Sequence, residues 1–104
     1  MSLKKKRIRA EFRDATFLRD DHKCRVCGDD NVSALDAHHI TDRNLIVNGG
    51  YVPENGISLC PPCHEKAEVF HSTGVPLEGW HPDDLYKLIG SSYDIAVRAS
   101  ARLK

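Results

Sequence analysis

The sequence predicts a small α+β domain. Its centre is a strand, a long loop, a second strand and a helix, stapled by a four-cysteine zinc site and flanked by N- and C-terminal helices. Three observations predict it. Cys24-Arg25-Val26-Cys27 and Cys60-Pro61-Pro62-Cys63 are two C-x-x-C pairs, a spacing at which two sulfurs reach one ion from a tight turn. Two short apolar runs, at 34–40 and 56–60, are separated by a stretch rich in Gly and Asn. Pro61 then opens a helical pattern that Gly74 and Pro76 close.

The 104 residues suffice for one domain, small enough that a metal staple makes physical sense. The formal net charge is zero, with 15 basic and 15 acidic side chains, which is poor support for binding nucleic acid by charge alone. The charge is uneven, however. Lys4, Lys5, Lys6, Arg7 and Arg9 stand at the start without an acid, and Arg98, Arg102 and Lys104 at the end. No apolar run approaches the roughly 20 residues that cross a bilayer. Basic residues without a following apolar stretch argue against a secretory leader. With four cysteines in metal-type spacing, the expected compartment is reducing and cytoplasmic.

In chain order, residues 1–9 read as a basic flexible arm, either a solvated terminus or a contact for nucleic acid. A single domain is expected over 10–104. Residues 10–20 read as a helix with Phe12, Ala15 and Leu18 on one stripe, widened by Phe17. Gly28 and Asp29-Asp30-Asn31 complete a turn after Cys27. Cys24, Cys27, Cys60 and Cys63 together make a tetrahedral site that is closed, and therefore structural. A mixed site using His38 would strand one cysteine, and a redox role does not explain two pairs.

The central unit spans about 34–72. In the first strand Leu35 and Ala37 face one side, Asp36 and His38 the other. Residues 41–54 are irregular, turning at Asn48-Gly49-Gly50, and are about as long as structureless loops get in a compact domain. The run 56–60 can pair back as a hairpin. The helix expected over 61–72 separates its faces: Cys63, Ala67 and Phe70 on one stripe, His64, Glu68 and His71 on another, roughly 100° round. A helical extension follows at about 81–104. Its first helix starts at His81-Pro82-Asp83-Asp84, with Leu85, Leu88 and Ile89 inward. Its last helix carries Ile95, Ala99 and Leu103 inward and Arg98 and Arg102 outward. Trp80 and Tyr86 read as core or as stacking residues.

Two adjacent histidines at a strand end and a third in the first turn of a helix fit a site in which His38 and His64 bind one cation and leave positions open. His39 is then free as a general base, its ordinary pKa near 6.5 suiting proton abstraction from water. The helix N-terminus offers partial positive charge for a phosphate. Adjacent strand residues point to opposite faces, so His38 and His39 share a site only if the strand bends or ends there.

At these residues the chain resembles the HNH nuclease family with its ββα-metal fold. The resemblance rests on D-A-H-H-I at 36–40, E-N-G-I-S-L-C at 54–60 and C-P-P-C-H at 60–64, framed by the cysteine pairs of the zinc-stapled branch, and covers about 17–72. It implies a metal-dependent DNA endonuclease. His39 would be the general base, His38 and His64 the ligands of one divalent ion, and Asn55 the asparagine that braces the loop and orients the base. Products would carry 3′-hydroxyl and 5′-phosphate ends. Where some members have a second helix histidine, this chain has Glu68, which either completes or orients the metal shell or is a solvated helix acid. His71 is expected to be peripheral. His38 in place of a carboxylate softens the site, so the catalytic ion is expected among Mg2+, Mn2+, Ni2+ and Zn2+, apart from the structural Zn2+. The implied partner is double-stranded DNA, the protein acting as monomer or homodimer, or within a larger phage or restriction assembly. The competing reading is a non-catalytic zinc module that binds nucleic acid or protein, to which the histidines are incidental.

Overall fold

The computed structural model describes residues 3–103; Met1 and Ser2 of the expected arm and Lys104 of the basic tail lie outside the described residues. The regular elements are α1 (Leu3–Arg19), β1 (Asp36–His39), β2 (Gly56–Leu59), α2 (Pro61–Thr73), α3 (Pro82–Leu88) and α4 (Tyr93–Ala101). β1 and β2 pair antiparallel, with Asp36 opposite Leu59, Ala37 opposite Ser58, His38 opposite Ile57 and His39 opposite Gly56.

Residues 3–9 correct the expectation of a flexible arm: they are the first turns of α1. Lysine and arginine are good helix formers and no Gly or Pro interrupts Leu3–Arg19, so nothing stops the helix at residue 10. The buried stripe of α1 is Phe12 and Thr16, while Leu18, expected inward, is 71% exposed. The cause is close packing on β2. A Cβ at Gly56 would stand 2.5 Å from Thr16 Oγ1 and 2.7 Å from Phe12 Cε1, so only glycine lets the helix lie this near.

The end of α1 covers the far edge of β2. Ser58 N donates to Asp20 Oδ2 at 2.8 Å, and Arg25 N donates to Ser58 O at 2.8 Å. Arg19 pairs with Asp20 at 2.8 Å and donates to the carbonyls of Pro53 (2.6 Å) and Gly56 (2.7 Å). A two-stranded ribbon with an open edge is a poor structure alone; here side chains of α1 and the cysteine turn satisfy that edge.

Between the strands, residues 40–55 hold short 3-10 turns at Arg43–Leu45 and Pro53–Asn55 and, at Val47–Gly50, a kinked turn in which Asn48 (φ 56°) and Gly49 (φ 81°) are left-handed, so the loop is ordered by local hydrogen bonds. α2 starts with Pro61 at its first position and stops at Gly74, whose φ of 78° lets its N–H bond Phe70 O at 2.8 Å. α3 is capped by His81, whose Nδ1 accepts from Asp83 N at 3.0 Å.

In the C-terminal helices the sequence reading holds for Leu85 of α3 and for Ile89 just after it, which pack in or against the core, and differs elsewhere. In α3, Leu85 and Tyr86 are buried and Leu88 is exposed; in α4, Ala96 and Ser100 are buried while Ile95 is exposed. The small residues face inward because α4 sits tightly on the Val47–Gly50 turn. Ser100 Oγ donates to Val47 O at 2.5 Å and accepts from Gly50 N at 3.0 Å. The core gathers Ile40, Ile46, Ile57, Leu59, Ala67, Leu85, Tyr86 and Ala96 beside the buried cysteines, with Trp80 packed at its margin. Among the described residues no helix is long and apolar enough to cross a membrane.

Candidate active site

Two donor clusters lie on either side of the start of α2. The first is Cys24, Cys27, Cys60 and Cys63, whose Sγ atoms all lie within 4.8 Å of one another. Cys27 Sγ and Cys60 Sγ are 3.5 Å apart. Zinc–sulfur bonds of about 2.3 Å in a tetrahedron put sulfurs roughly 3.8 Å apart, so the cluster fits one zinc ion. Local structure delivers the four sulfurs. The first pair sits in a turn closed by Gly28 N on Cys24 O at 2.9 Å, and Gly28 takes a φ of 82°. Cys60 follows β2 as the N-cap of α2, and Cys63 lies in the first turn of that helix. Burial raises the Cys24 thiol's pKa, but the backbone N–H groups of Cys27, Cys60 and Val26 outweigh it, and the net value is lowered to about 7. Burial, with the neighbouring sulfurs, pushes Cys63 up. Four such thiols together are poor company until a cation neutralises them.

The second cluster is His38, His64 and Glu68, with one donor atom each within 4.8 Å of the others. His38 comes from the buried face of β1, His64 from the first turn of α2, and Glu68 one turn further along the same face. Glu68 Oε1 stands 3.3 Å from His38 Nδ1 and 3.0 Å from His64 Nε2. The opposite nitrogen of His64, Nδ1, is 3.2 Å from Asp36 Oδ2. His38 is 2% exposed, and neither of its ring nitrogens is in a hydrogen bond; the Glu68 contact has ion-pair length without hydrogen-bond geometry. A buried imidazole with no hydrogen-bond partner is expensive unless something else binds it. That orphaned histidine, a second imidazole and a carboxylate fit a divalent cation.

Protonation fits as well. Burial drives the His38 pKa below its ordinary value, outweighing the nearby Glu68, so the ring is neutral with a lone pair to give. The Glu68 carboxyl is lowered to about 2, chiefly by the His38 ring beside it, and remains an anion.

His39 departs to the other side of the strand. Its ring centroid lies 4.5 Å from that of Phe12 and 4.6 Å from that of Tyr51, edge-on to the latter. Both histidines nevertheless border one groove of about 330 Å3, along with Asp42, Arg43, His64 and Glu68. β1 ends at His39, so the two side chains diverge in a regular way and still open on common space. Burial lowers the His39 pKa to about 4, so it too is neutral near pH 7, and its Nε2 is buried without a hydrogen bond.

Asn55 does not enter the groove. It is fully buried behind it. Its Oδ1 accepts from Thr41 N (2.9 Å) and from Tyr86 Oη–H (2.6 Å); its Nδ2 donates to Thr41 O and Gly50 O, both at 3.1 Å. Ile40 N also bonds Asn55 O at 2.9 Å, so this one residue ties down the chain leaving His39.

Several residues of the site have roles that the sequence does not signal. His71, expected to be peripheral, stacks on His38 with ring centroids 5.1 Å apart and donates through Nε2 to His39 O at 3.0 Å. Asp36 has a place on the His38 face in the sequence reading but no role there. Tyr86 reads as core or stacking, yet its hydroxyl is the outer support of Asn55. A hydroxyl's partners have no period along the chain, so patterning cannot find it.

Residues 24–69 match the model of the HNH endonuclease family. No curated protein and no solved structure matches the chain. The hairpin, the helix carrying His64 and the four-cysteine cluster lie across that matched segment, an arrangement consistent with the zinc-stapled ββα-metal form of the HNH family. Family and donor sets together support a metal-dependent nuclease function in general terms.

Proposed function

We propose that the protein is a metal-dependent endonuclease that hydrolyses phosphodiester bonds of double-stranded DNA, with His39 as general base and one divalent ion held by His38 and His64. Glu68 joins that ion's shell. The observation that carries this reading is the buried, unsatisfied His38 ring facing His64 and Glu68 across a groove that His39 also borders. The ion at that donor set would stabilise the charge developing on the phosphorane and on the leaving 3′ oxygen.

The chain's own residues do the rest. His39, neutral through burial, accepts a proton from the attacking water at its groove-facing edge. Phe12 and Tyr51 hold its ring, and His71 and Asn55 fix the backbone at its own carbonyl and just after it. Asp36 at His64 Nδ1 favours the tautomer that leaves Nε2 to face the cluster. The first turn of α2 adds partial positive charge where the phosphate lies. Products would carry 5′-phosphate and 3′-hydroxyl ends. The chain works as one domain, its α1 and C-terminal helices buttressing the central unit.

The test is plasmid nicking with Mg2+, Mn2+, Ni2+ and Zn2+ supplied singly, for the wild type, His39→Ala and His64→Ala. Nicking that needs added metal and is strongly reduced in both variants supports the reading. Equal nicking by wild type and His39→Ala removes His39 as the base. A folded, zinc-loaded wild type that cuts no DNA with any metal leaves a non-catalytic zinc module.

A further inference from the structure

A second, larger cleft of about 450 Å3 adjoins the groove of the histidines. Lys4, Lys5, Ile8 and Arg9 from the opening turns of α1 form one wall; Arg43, Asn48 and Tyr51 from the loop between the strands stand among the residues opposite. Among the described residues its lining holds four cationic residues and no acid, on a chain whose formal net charge is zero. Cationic side chains concentrated in one concavity of a neutral protein favour an anion there.

Arg43 and Tyr51 border both spaces, so the cleft and the groove are direct neighbours. Arg9 lies over the Tyr51 ring at 5.6 Å from its centroid, and that ring is edge-on to His39. A basic track therefore leads from α1 to the candidate base through two residues. Because the basic segment is helical, Lys4, Lys5, Ile8 and Arg9 lie on one face about one and a half turns long, a fixed surface as opposed to a loose polycation.

We propose that the cleft between the first turns of α1 and the Arg43–Tyr51 loop binds the phosphate backbone of the DNA strand adjoining the scissile phosphate, and so sets the strand's direction through the active site. This rests on the nuclease reading above and deepens it, because it states where the substrate runs. Phosphate contacts of this kind fix register and orientation without reading bases. Arg43, at the junction, meets the phosphate next to the one being cut.

The experiment measures binding apart from cleavage. All proteins carry His39→Ala so that DNA is not consumed, are zinc-loaded, and titrate a fluorescent duplex by anisotropy across a salt series. The test variant adds Lys4→Gln, Lys5→Gln and Arg9→Gln. A control adds Lys87→Gln on α3, Arg98→Gln on α4 and Arg102→Gln just after it. The test variant should bind at least tenfold more weakly near 0.1 M salt. Its log–log salt slope should be shallower by about one unit for each phosphate the protein no longer neutralises. The control should match the parent. All six residues are exposed, and circular dichroism verifies that each protein folds. If the test variant keeps the parent's affinity and slope, or the control weakens as much, the cleft is not the track, and the nuclease reading stands unaffected. If the His39-intact protein neither binds nor cuts DNA, both fall together.

Discussion

Tyr86 Oη donates to Asn55 Oδ1 across 2.6 Å, 31 residues apart in the chain and with neither side chain reaching the groove. Through that bond a helix outside the matched HNH segment takes part in holding the strand that carries His39. Tyr86 Oη also lies 2.6 Å from Thr41 Oγ1, so the phenol, the amide and the threonine form one closed network. Tyr86→Phe should lower stability by about 1–2 kcal/mol. It should also slow nicking several-fold at an unchanged metal requirement. A melt and a rate measured on the same preparation test this; full stability with abolished activity would contradict the bracing role.

Gly50 and Gly74 both have positive φ, at 67° and 78°, but their surroundings differ. A Cβ at Gly50 would collide with Asn55 Nδ2 and lie 2.8 Å from Ile46 Cγ2, whereas nothing lies within 4 Å at Gly74. Gly74→Ala should cost about 1 kcal/mol, the backbone penalty alone. Gly50→Ala should cost about 3 kcal/mol or more, since it also displaces the asparagine. Chemical denaturation of the two variants side by side checks the difference; equal losses would mean that Asn55 yields easily.

Stability should depend on pH through the buried imidazoles. His39 titrates at about 4 when folded and His38 also below its ordinary value, against about 6.5 in an unfolded chain. Between about 4 and 6.5 the unfolded state binds more protons, so stability is fully present above about 6.5 and is lost as pH falls through about 4. The urea midpoint of protein without the exchangeable ion should therefore fall between about pH 6.5 and about pH 4.5. His39→Phe should flatten part of that slope. A midpoint independent of pH over this window would show both rings exposed to solvent.

Glu68 is either a member of the metal shell or a solvated helix acid, and metal affinity separates the two. As Oε1 lies within 3.3 Å of both His38 Nδ1 and His64 Nε2, Glu68→Gln should weaken Mn2+ binding by about 10- to 100-fold in calorimetry. The folded state should be nearly unchanged, since the carboxylate is half exposed. An unaltered Mn2+ affinity would return Glu68 to the surface role.

Zinc should be a condition of folding. With the four Sγ atoms clustered and three of the four cysteines buried, elemental analysis should find about one tightly held zinc per chain. Cys24→Ser and Cys60→Ser should abolish cooperative unfolding along with activity. A Cys24→Ser protein that melts cooperatively without zinc would overturn the division between a structural and a catalytic ion.

Much of this arrangement is legible in spacing, because metal donors must converge and elements have fixed periods. Cys24, Cys27, Cys60 and Cys63 announce one cluster, and the 100° per residue of α2 separates Cys63 from His64. What resists reading depends on packing across elements. The first turns of α1 resemble an arm because basic runs in isolation are solvated; Tyr51 and the loop give them something to lie against. The phase of α4 escapes the pattern because Ile95 and Leu103 outrank Ala96 and Ser100 in hydrophobicity, whereas the site on the Val47–Gly50 turn has room only for small residues. The period of α2 puts His71 on the His64 face but does not show its bond to His39 O, and no periodic signal marks the hydroxyl contacts of Tyr86.

Asn55 is fully buried, so the chain leaving His39 is anchored in the interior. The residues that would set turnover are thus largely the ones that hold the fold. Random variants selected only for surviving heat and variants selected only for cutting should accumulate at the same positions, Thr41, Gly50, Asn55 and Tyr86. In this small chain, robustness and catalysis would be inherited together.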